Sequence, residues 1–398
     1  MAAPVKLWGN RLKDLIYLDN QATTPVDPRV LEAMIPYLSE QFGNAASIHH
    51  SFGRQAKEAI ENSRKVLAEE INARTKEIVF TSGATESINL AIRGACEQNP
   101  DKRHIITQVT EHKAVLDTCN AMIKKGWTLT ILAVDNDGRV DPSHVKDAIR
   151  DDTVLVAIMH ANNEIGTIQP IAEIGKICKD TGVLFFVDAC QSFGKLKIDV
   201  NALSINMLAA TAHKIYGPKG IGILYIKSKN PKVEIVAQIT GGGHEYGRRS
   251  GTLPVHQIVG FGKAIEICDP LENEKMAILQ KMLIDGIIKA HPSVQLNGSR
   301  ENRLPNNINF CVPGVDAETL IMKMKGVACS TGSACSSANF EPSHVIKALG
   351  RNYEMAHSAV RFSIGRFNTV DEVDKVILEI NESITFLKQN SPHFKMSV

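Results

Sequence analysis

The sequence predicts an α/β protein: a large, mostly parallel sheet domain followed by a smaller α+β domain. Three observations carry that expectation. Between residues 77 and 210, short apolar runs alternate with longer stretches of helical periodicity, the pattern of strands joined by crossover helices. The runs themselves do not alternate apolar with polar residues, so both faces of the sheet must be covered. Beyond residue 265 the order changes to one long amphipathic helix and then separated strands and helices. The 398 residues allow two or three domains at roughly 150 residues each. We therefore divide the chain into an N-terminal arm (1–16) that packs with the small domain, a large domain (17–264) and a small domain (265–398).

The elements follow in order. Asp27-Pro28 starts a helix, because the Asp oxygen accepts from free amides and Pro suits the first turn. A loop over 42–51, with Gly43, Asn44 and two histidines, separates it from a helix over 54–72. Residues 77–80 (EIVF) read as a strand, with a helix from Thr85. The strand 104–108 (HIITQ) precedes a helix through Lys125, and strands at 128–134 and 153–159 come next. A helix at 171–180 leads to the strand 183–188 (VLFFVD) and an apolar run at 205–210. The run 221–226 (IGILYI) is expected at the edge of the sheet. The last third reads as a helix at 272–290, a strand at 307–310 and a helix at 317–324. A Ser/Gly-rich loop at 330–337, a strand at 359–364 and a terminal helix at 370–387 complete it.

Composition narrows the function. With 43% hydrophobic and 22% charged residues, the chain has the make-up of a soluble globular protein. Its 45 Lys and Arg against 43 Asp and Glu leave a net charge of +2. That balance argues against nucleic acid or an anionic membrane as the main partner. No apolar run approaches the ~18 residues of a membrane span. Lys6, Arg11 and Lys13 sit near the start without the apolar stretch of a secretory signal, while a mitochondrial transit peptide stays open. The eight cysteines are scattered with no C-x-x-C spacing, as expected of reduced thiols in the cytoplasm or the mitochondrial matrix.

Five segments, each following a predicted strand, carry groups suited to one ligand. In 211–220 (TAHKIYGPKG) a polar turn presents Lys214 before a Gly/Pro bend. A lysine held there and partly desolvated can form a Schiff base with a carbonyl cofactor, although a lone lysine after a strand reads first as a surface residue. Asp188 ends its strand, with Gln191 shortly after, and points into the crevice where α/β ligands bind. Pyridoxal phosphate needs a carboxylate there to keep its ring nitrogen protonated; alone, Asp188 is a turn or cap residue. The stretch 81–86 (TSGATE) opens a helix with small residues whose amides and hydroxyls can approach a phosphate, or simply cap it. His112 is placed to stack on an aromatic ring and exchange protons near neutral pH. The segment 160–166 (HANNEIG) offers amide donors to a ring hydroxyl. Each is ambiguous alone; together they point to one cofactor.

Two further features concern the substrate. Cys335 lies among small polar residues (330–337, STGSACSS), a segment expected to be mobile and exposed, where a thiol can act as a nucleophile. The other reading is a loop cysteine without a role. Cys178 and Cys268 fall in helix patterns as inert core residues, and Cys329 reads as strand core. Arg361 sits on an apolar strand (359–363, AVRFS), where it needs an anion such as a carboxylate, or else pairs with an acid on an edge strand. The glycine-rich segment 241–245 with 249–252 can reach a phosphate of the same or another subunit.

Taken together, these residues resemble the cysteine desulfurases of the class V aminotransferase superfamily, most closely the housekeeping branch that supplies sulfur for iron–sulfur clusters and tRNA thiolation. The likeness runs from YLDNQATTP (17–25) to RFSIGRF (361–367), through TSGATES, TEHKAVLDTC, NNEIG, HKIYGPKGIG, RSGTLPVHQIVG and GSACSS. It implies the fold of fold-type I pyridoxal phosphate enzymes, a homodimer, and conversion of L-cysteine to L-alanine. Lys214 would hold pyridoxal 5′-phosphate and abstract the substrate α-proton. Asp188 would pair with the pyridine nitrogen, Gln191 and Asn163 would bond the ring oxygen, and His112 would stack over the ring. Ala84, Thr85, Thr211 and His213 would bind the phosphate, with Thr252 of the partner subunit. Arg361 and Asn163 would hold the substrate carboxylate. Cys335 would take the sulfur as a persulfide and pass it to acceptors such as an iron–sulfur scaffold protein, where its thiolate can also share in ligating a cluster.

The same likeness admits a selenocysteine lyase, another class V enzyme, or a non-catalytic sulfur-relay scaffold. Retention of both Lys214 and Cys335 favours the desulfurase. A nicotinamide enzyme is disfavoured, since no G-x-G-x-x-G opens a helix after an early strand. The chain departs from the family pattern at Thr211-Ala212 (usually Ser-Gly), at Tyr246 (usually Arg) and at Cys190 (commonly Ala or Thr).

Overall fold

The computed structural model describes residues 15–331 and 341–390. It begins with β1 (Ile16–Tyr17), α1 (Pro28–Met34), α2 (Pro36–Ser39) and α3 (Ser51–Glu70). Asp27 caps α1 by accepting from the Arg29 amide at 3.0 Å, with Pro28 in the first turn. His50 Nδ1 accepts from the Gly53 amide at 3.2 Å and so starts α3 ahead of residue 54, where the periodicity places it. Residues 1–14 of the expected arm lie outside the described residues. Ile16 pairs with Val327 and packs in the core of the small sheet.

The next elements are β2 (Ile78–Thr81), α4 (Ala84–Gln98), β3 (His104–Gln108), α5 (Lys113–Ile123), β4 (Thr128–Leu132), α6 (Pro142–Ala148) and β5 (Thr153–Ala157). Then come α7 (Ile171–Thr181), β6 (Leu184–Asp188), β7 (Met207–Thr211) and β8 (Gly222–Ile226). The strands form one seven-stranded sheet in the order β2-β8-β7-β6-β5-β3-β4. Strands β3 to β7 pair in parallel, and one apolar cluster covers each face.

Strand β8 corrects the sequence expectation. It lies inside the sheet, antiparallel to β2 and β7, rather than at its edge. Its five residues are all buried, which suits a strand with neighbours on both sides. The edge on that side belongs to β2, and the opposite one to β4. At β2 the Glu245 carboxylate accepts from the Phe80 amide at 2.7 Å and Arg64 donates to the Ile78 carbonyl at 2.9 Å. Side chains thus satisfy backbone groups that an open edge would leave for another chain.

The remaining elements are α8 (Val255–Glu266), α9 (Pro270–Ala290), β9 (Gln295–Leu296), β10 (Asn307–Cys311), α10 (Ala317–Lys323), β11 (Val327–Ala328) and β12 (Ser330–Thr331). They end with α11 (His344–Ala348), α12 (Tyr353–His357), β13 (Ala359–Ser363) and α13 (Val370–Asn390). A four-stranded sheet runs in the order β12-β13-β10-β9. Helix α8 buries Ile258, Phe261 and Ala264 in the core of the large sheet, whereas α9 buries Leu279, Leu283 and Ile287 in that of the small one. The chain crosses between the two cores over residues 267–269.

Candidate active site

A cavity of about 860 Å³ opens beyond the C-terminal ends of the parallel strands. Its walls come from the turns after β2 (82–86), β3 (111–113), β5 (159–164), β6 (188–191) and β7 (211–214), together with Arg361 and residues 341–344. This is where open α/β sheets bind ligands. The structure brings together Ala84, Thr85, His112, Asn163, Asp188, Gln191, Thr211, His213, Lys214 and Arg361.

Lys214 stands at the end of a 3₁₀ turn (Ala212–Lys214) directly after β7. Its Nζ donates to the backbone oxygens of Gln21 and of Ala22, the latter at 2.7 Å. Asp188 is the last residue of β6, and its Oδ1 accepts from the Cys190 amide at 2.9 Å. The Cys190 thiol beside it is held far above its ordinary pKa by burial and by the Asp188 charge. Gln191 donates from Nε2 to the Gln21 carbonyl at 3.0 Å, and its buried Oε1 has no protein partner.

His112 has a role that the sequence did not reveal. It caps α5, with Nδ1 accepting from the Ala114 amide at 3.1 Å. An accepting Nδ1 leaves Nε2 to carry the proton of the neutral ring. His213 shares a hydrogen bond with Thr23 through Nδ1 at 3.2 Å. Burial, reinforced by Lys214 and by Lys219 and Lys195, pushes its pKa down to about 4. His213 is therefore neutral at pH 7. Thr211 is buried and donates to the Ile221 carbonyl at 3.1 Å, so its hydroxyl must turn before it can donate to an anion.

Arg361 lies on β13, between β12 and β10, so it is not an edge-strand arginine. Nη2 bonds Asp19 Oδ1 at 2.7 Å and Ser330 Oγ at 2.8 Å, while Nη1 donates to the Asn163 carbonyl at 2.9 Å. Its Nε is buried without a partner. Thr252 is exposed and absent from the walls of this cavity. Within their own subunit, Glu245 and Arg249 of the glycine-rich segment are engaged in ion pairs. Arg64 pairs with Glu245 at 2.7 Å, and Glu86 with Arg249 at 2.7 Å. Cys335 lies outside the described residues. Cys329 is part-buried between β11 and β12, with its thiol pushed up to about 12 by burial and by Asp19.

Three titratable residues escaped the sequence reading. Glu111 is buried, and its Oε1 accepts from the Met159 amide at 2.6 Å and from Gln108 at 2.9 Å. Its Oε2 has no partner, and burial pushes its pKa up to about 8. Glu164 accepts from Ser343, and burial pushes it up to about 7 against that hydrogen bond. Lys195 donates to the carbonyls of Gln191 and Lys214. Glu111 and Glu164 fall inside TEH and NNEIG, so position in a motif was the available signal.

The fit to pyridoxal 5′-phosphate can be judged from the walls. Unlike α1, α3 and α5, helix α4 has no capping side chain. It opens at Gly83, with φ 151° and nothing within 4 Å of where a Cβ would stand. Its first-turn amides, beside the cavity-lining Ala84 and Thr85, are an anion site. An amine at Lys214, a carboxylate at Asp188 and an unpartnered acceptor on Gln191 complete the set. Phosphate, aldehyde and ring nitrogen each find a partner, and the residues fit the group.

The family model for aminotransferase class-V matches residues 16–376. The chain is 50% identical over 390 residues to the cysteine desulfurase IscS of Anaeromyxobacter sp. (strain K), covering 97% of this chain and 96% of that protein. It is 51% identical over 387 residues to the protein of the same name from Klebsiella pneumoniae, covering 96% and 95%. Among solved structures, a NifS-like protein superimposes with a TM-score of 0.87 at 36% identity, covering 94% of this chain and 100% of its own.

Proposed function

The chain belongs to the class-V aminotransferase family, among its cysteine desulfurases, and from that premise we propose how its own residues divide the work. The enzyme uses pyridoxal phosphate to take sulfur from L-cysteine for iron–sulfur cluster assembly, leaving L-alanine. The bound cofactor supplies an electron sink that lets the substrate α-proton leave.

Lys214 would hold that group through Nζ and take up the α-proton there, with the Gln21 and Ala22 carbonyls orienting the amine. Asp188 would pair with the ring nitrogen, its carboxylate steadied by the Cys190 amide. Gln191 and Asn163 would bond the ring oxygen, and His112 would lie against the ring and move protons at Nε2. Ala84, Thr85, Thr211 and His213 would hold the phosphate. Arg361 and Asn163 take the substrate carboxylate, with Asp19 keeping the guanidinium in place.

Cys335 receives the sulfur. Its thiolate attacks the substrate sulfur, an S–S bond forms, and the Cβ–S bond breaks. The bonding pair stays on Cβ, which gains a proton and becomes the methyl group of alanine. Cys335 is left as a persulfide for an acceptor such as an iron–sulfur scaffold protein, with which it can share a cluster. The enzyme is a homodimer, and Thr252 of the partner subunit completes the phosphate site. The exposure of Thr252, away from the cavity of its own subunit, supports this arrangement. A cytoplasmic or mitochondrial-matrix setting accords with the free cysteines found among the described residues.

The observation that carries this account is the meeting of Lys214, Asp188 and the open start of α4 around one cavity. Its test is alanine release from L-cysteine by wild type, Lys214→Ala and Cys335→Ser. Wild type should form alanine, and Lys214→Ala should form none above background. Cys335→Ser should retain the cofactor colour but lose sulfur transfer. Full transfer by Cys335→Ser would remove Cys335 from the mechanism.

A further inference from the structure

We propose that Lys195 is a positioning residue that clamps the turns bearing Lys214 and Gln191 and, through its positive charge, lowers the proton affinity of Lys214. The proposal rests on the pyridoxal phosphate reading given above.

Lys195 lies in the segment after β6, and its part-buried Nζ donates to the Lys214 carbonyl at 3.0 Å and to the Gln191 carbonyl at 3.2 Å. These two carbonyls belong to the turns that follow β7 and β6. One ammonium therefore ties together the turn of the cofactor lysine and the turn beside Asp188. Both acceptors of the Lys195 ammonium are carbonyl oxygens rather than carboxylates. Enclosing an ammonium without an anion is costly, and two carbonyl acceptors compensate for only part of that cost. The main chain of Lys195 is held as well, because Asn273 of α9 donates to its carbonyl at 2.5 Å.

Burial pushes the Lys195 pKa down to about 8, with Lys214 and Arg366 acting in the same direction and Cys268 and Cys190 opposing. Arg366 is itself engaged by Asp27 at 2.7 Å and Glu272 at 3.0 Å. Cys190 and His213 also feel the charge of Lys214, and Asp188, Lys219 and Arg361 line the same cavity. His213 is neutral at pH 7, whereas Lys195 is a cation coupled to Lys214 from the protein side of its turn. Like charges at close range favour loss of a proton from one of them.

The test uses the holoenzyme of wild type, Lys195→Met, Lys195→Gln and Lys195→Arg. Two properties other than turnover are read: the pH at which the visible band of the bound cofactor changes, and the rate of cofactor loss after dilution. Removing the cation should raise the transition in Lys195→Met by about half a unit. Losing the clamp should speed cofactor loss about tenfold. Lys195→Gln keeps a donor without the charge, so its transition should stay raised while cofactor loss slows. Lys195→Arg should restore the wild-type transition. A transition unmoved in both Met and Gln variants, with cofactor bound, overturns the proposal and leaves Lys195 a packing residue. If Lys195→Met fails to fold, the Gln and Arg variants decide by the same criterion. A wild-type protein that takes up no cofactor overturns the underlying reading, and the proposal with it.

Discussion

Glu111 sets the clearest pH signature of any single residue. Its carboxyl titrates near 4.5 in an exposed setting and at about 8 in the fold, because burial disfavours the charge. Between those values the native state keeps a proton that the unfolded chain has released. The unfolded state then binds fewer protons, and stability falls as pH rises. Glu111→Gln should remove that slope, flattening the urea midpoint between pH 4.5 and about 8 relative to wild type; parallel curves would mean that the carboxyl is not held neutral. Asp27 works in the opposite sense. Burial opposes its charge, but hydrogen bonds from Arg29 and Arg366 outweigh burial and hold it at about 2. Its contribution is complete above the ordinary carboxylate range and is lost as pH falls toward 2. Lys214 and Asp188 were legible in the sequence because Asp188 ends an apolar run and Lys214 stands in the polar turn after one. Glu111 and Lys195 were not, since no pattern reports which charged side chain a turn folds inward.

At the scale of the element, two close fits have measurable consequences. The Arg64–Glu245 pair closes the edge of β2, with the Arg64 guanidinium stacked 4.6 Å from the centre of the Phe80 ring. Glu245→Ala would leave that buried guanidinium with only the more exposed Glu61 carboxylate, 3.2 Å from Nε, and should cost about 3 kcal/mol, the lower end of the range for a broken buried pair. Denaturant unfolding should show a drop of that size, and replacing both partners with apolar residues should recover much of it. An unchanged midpoint for Glu245→Ala would show that the pair is not buried in solution. The second fit is at Gly222 of β8, where an added Cβ would lie 2.8 Å from the Gly83 backbone and 2.8 Å from the Ala210 carbonyl. Gly222→Ala should displace the start of α4 and weaken cofactor retention about tenfold or more. Equilibrium dialysis against pyridoxal phosphate reads that loss, and wild-type retention would mean the turn yields without cost to the phosphate site. The interior place of β8 was not legible because an apolar run records burial but not strand order. Helix α8 was missed because no element was read between the run 221–226 and the helix at 272–290, although α8 packs on α3 and α1.

The whole molecule holds its site between two cores. Residues 18–27 run from the small-sheet core to the large one and supply Asp19 to Arg361, Gln21 to Lys214 and to Asn307, and Asp27 to Arg366. A ligand held by both cores should stabilise both. Saturating pyridoxal phosphate at about a hundredfold over its dissociation constant should add about 2.7 kcal/mol to the native state, read as a raised Tm in wild type and a smaller rise in Lys214→Ala. Equal rises in the two would show that Lys214 does not hold the cofactor. The fold class was legible because alternating strands and helices at this length admit few architectures. The segment that joins the cores was not, because its hydrogen bonds link residues from 193 to 342 positions apart.

The central claim is that sulfur leaves L-cysteine for Cys335. The most direct measurement is mass spectrometry of the protein after incubation with L-cysteine, with alanine counted in the same sample. The account requires a gain of one sulfur atom on the peptide containing Cys335, matched by alanine on the first turnover. Alanine formed while that peptide keeps its original mass would contradict it.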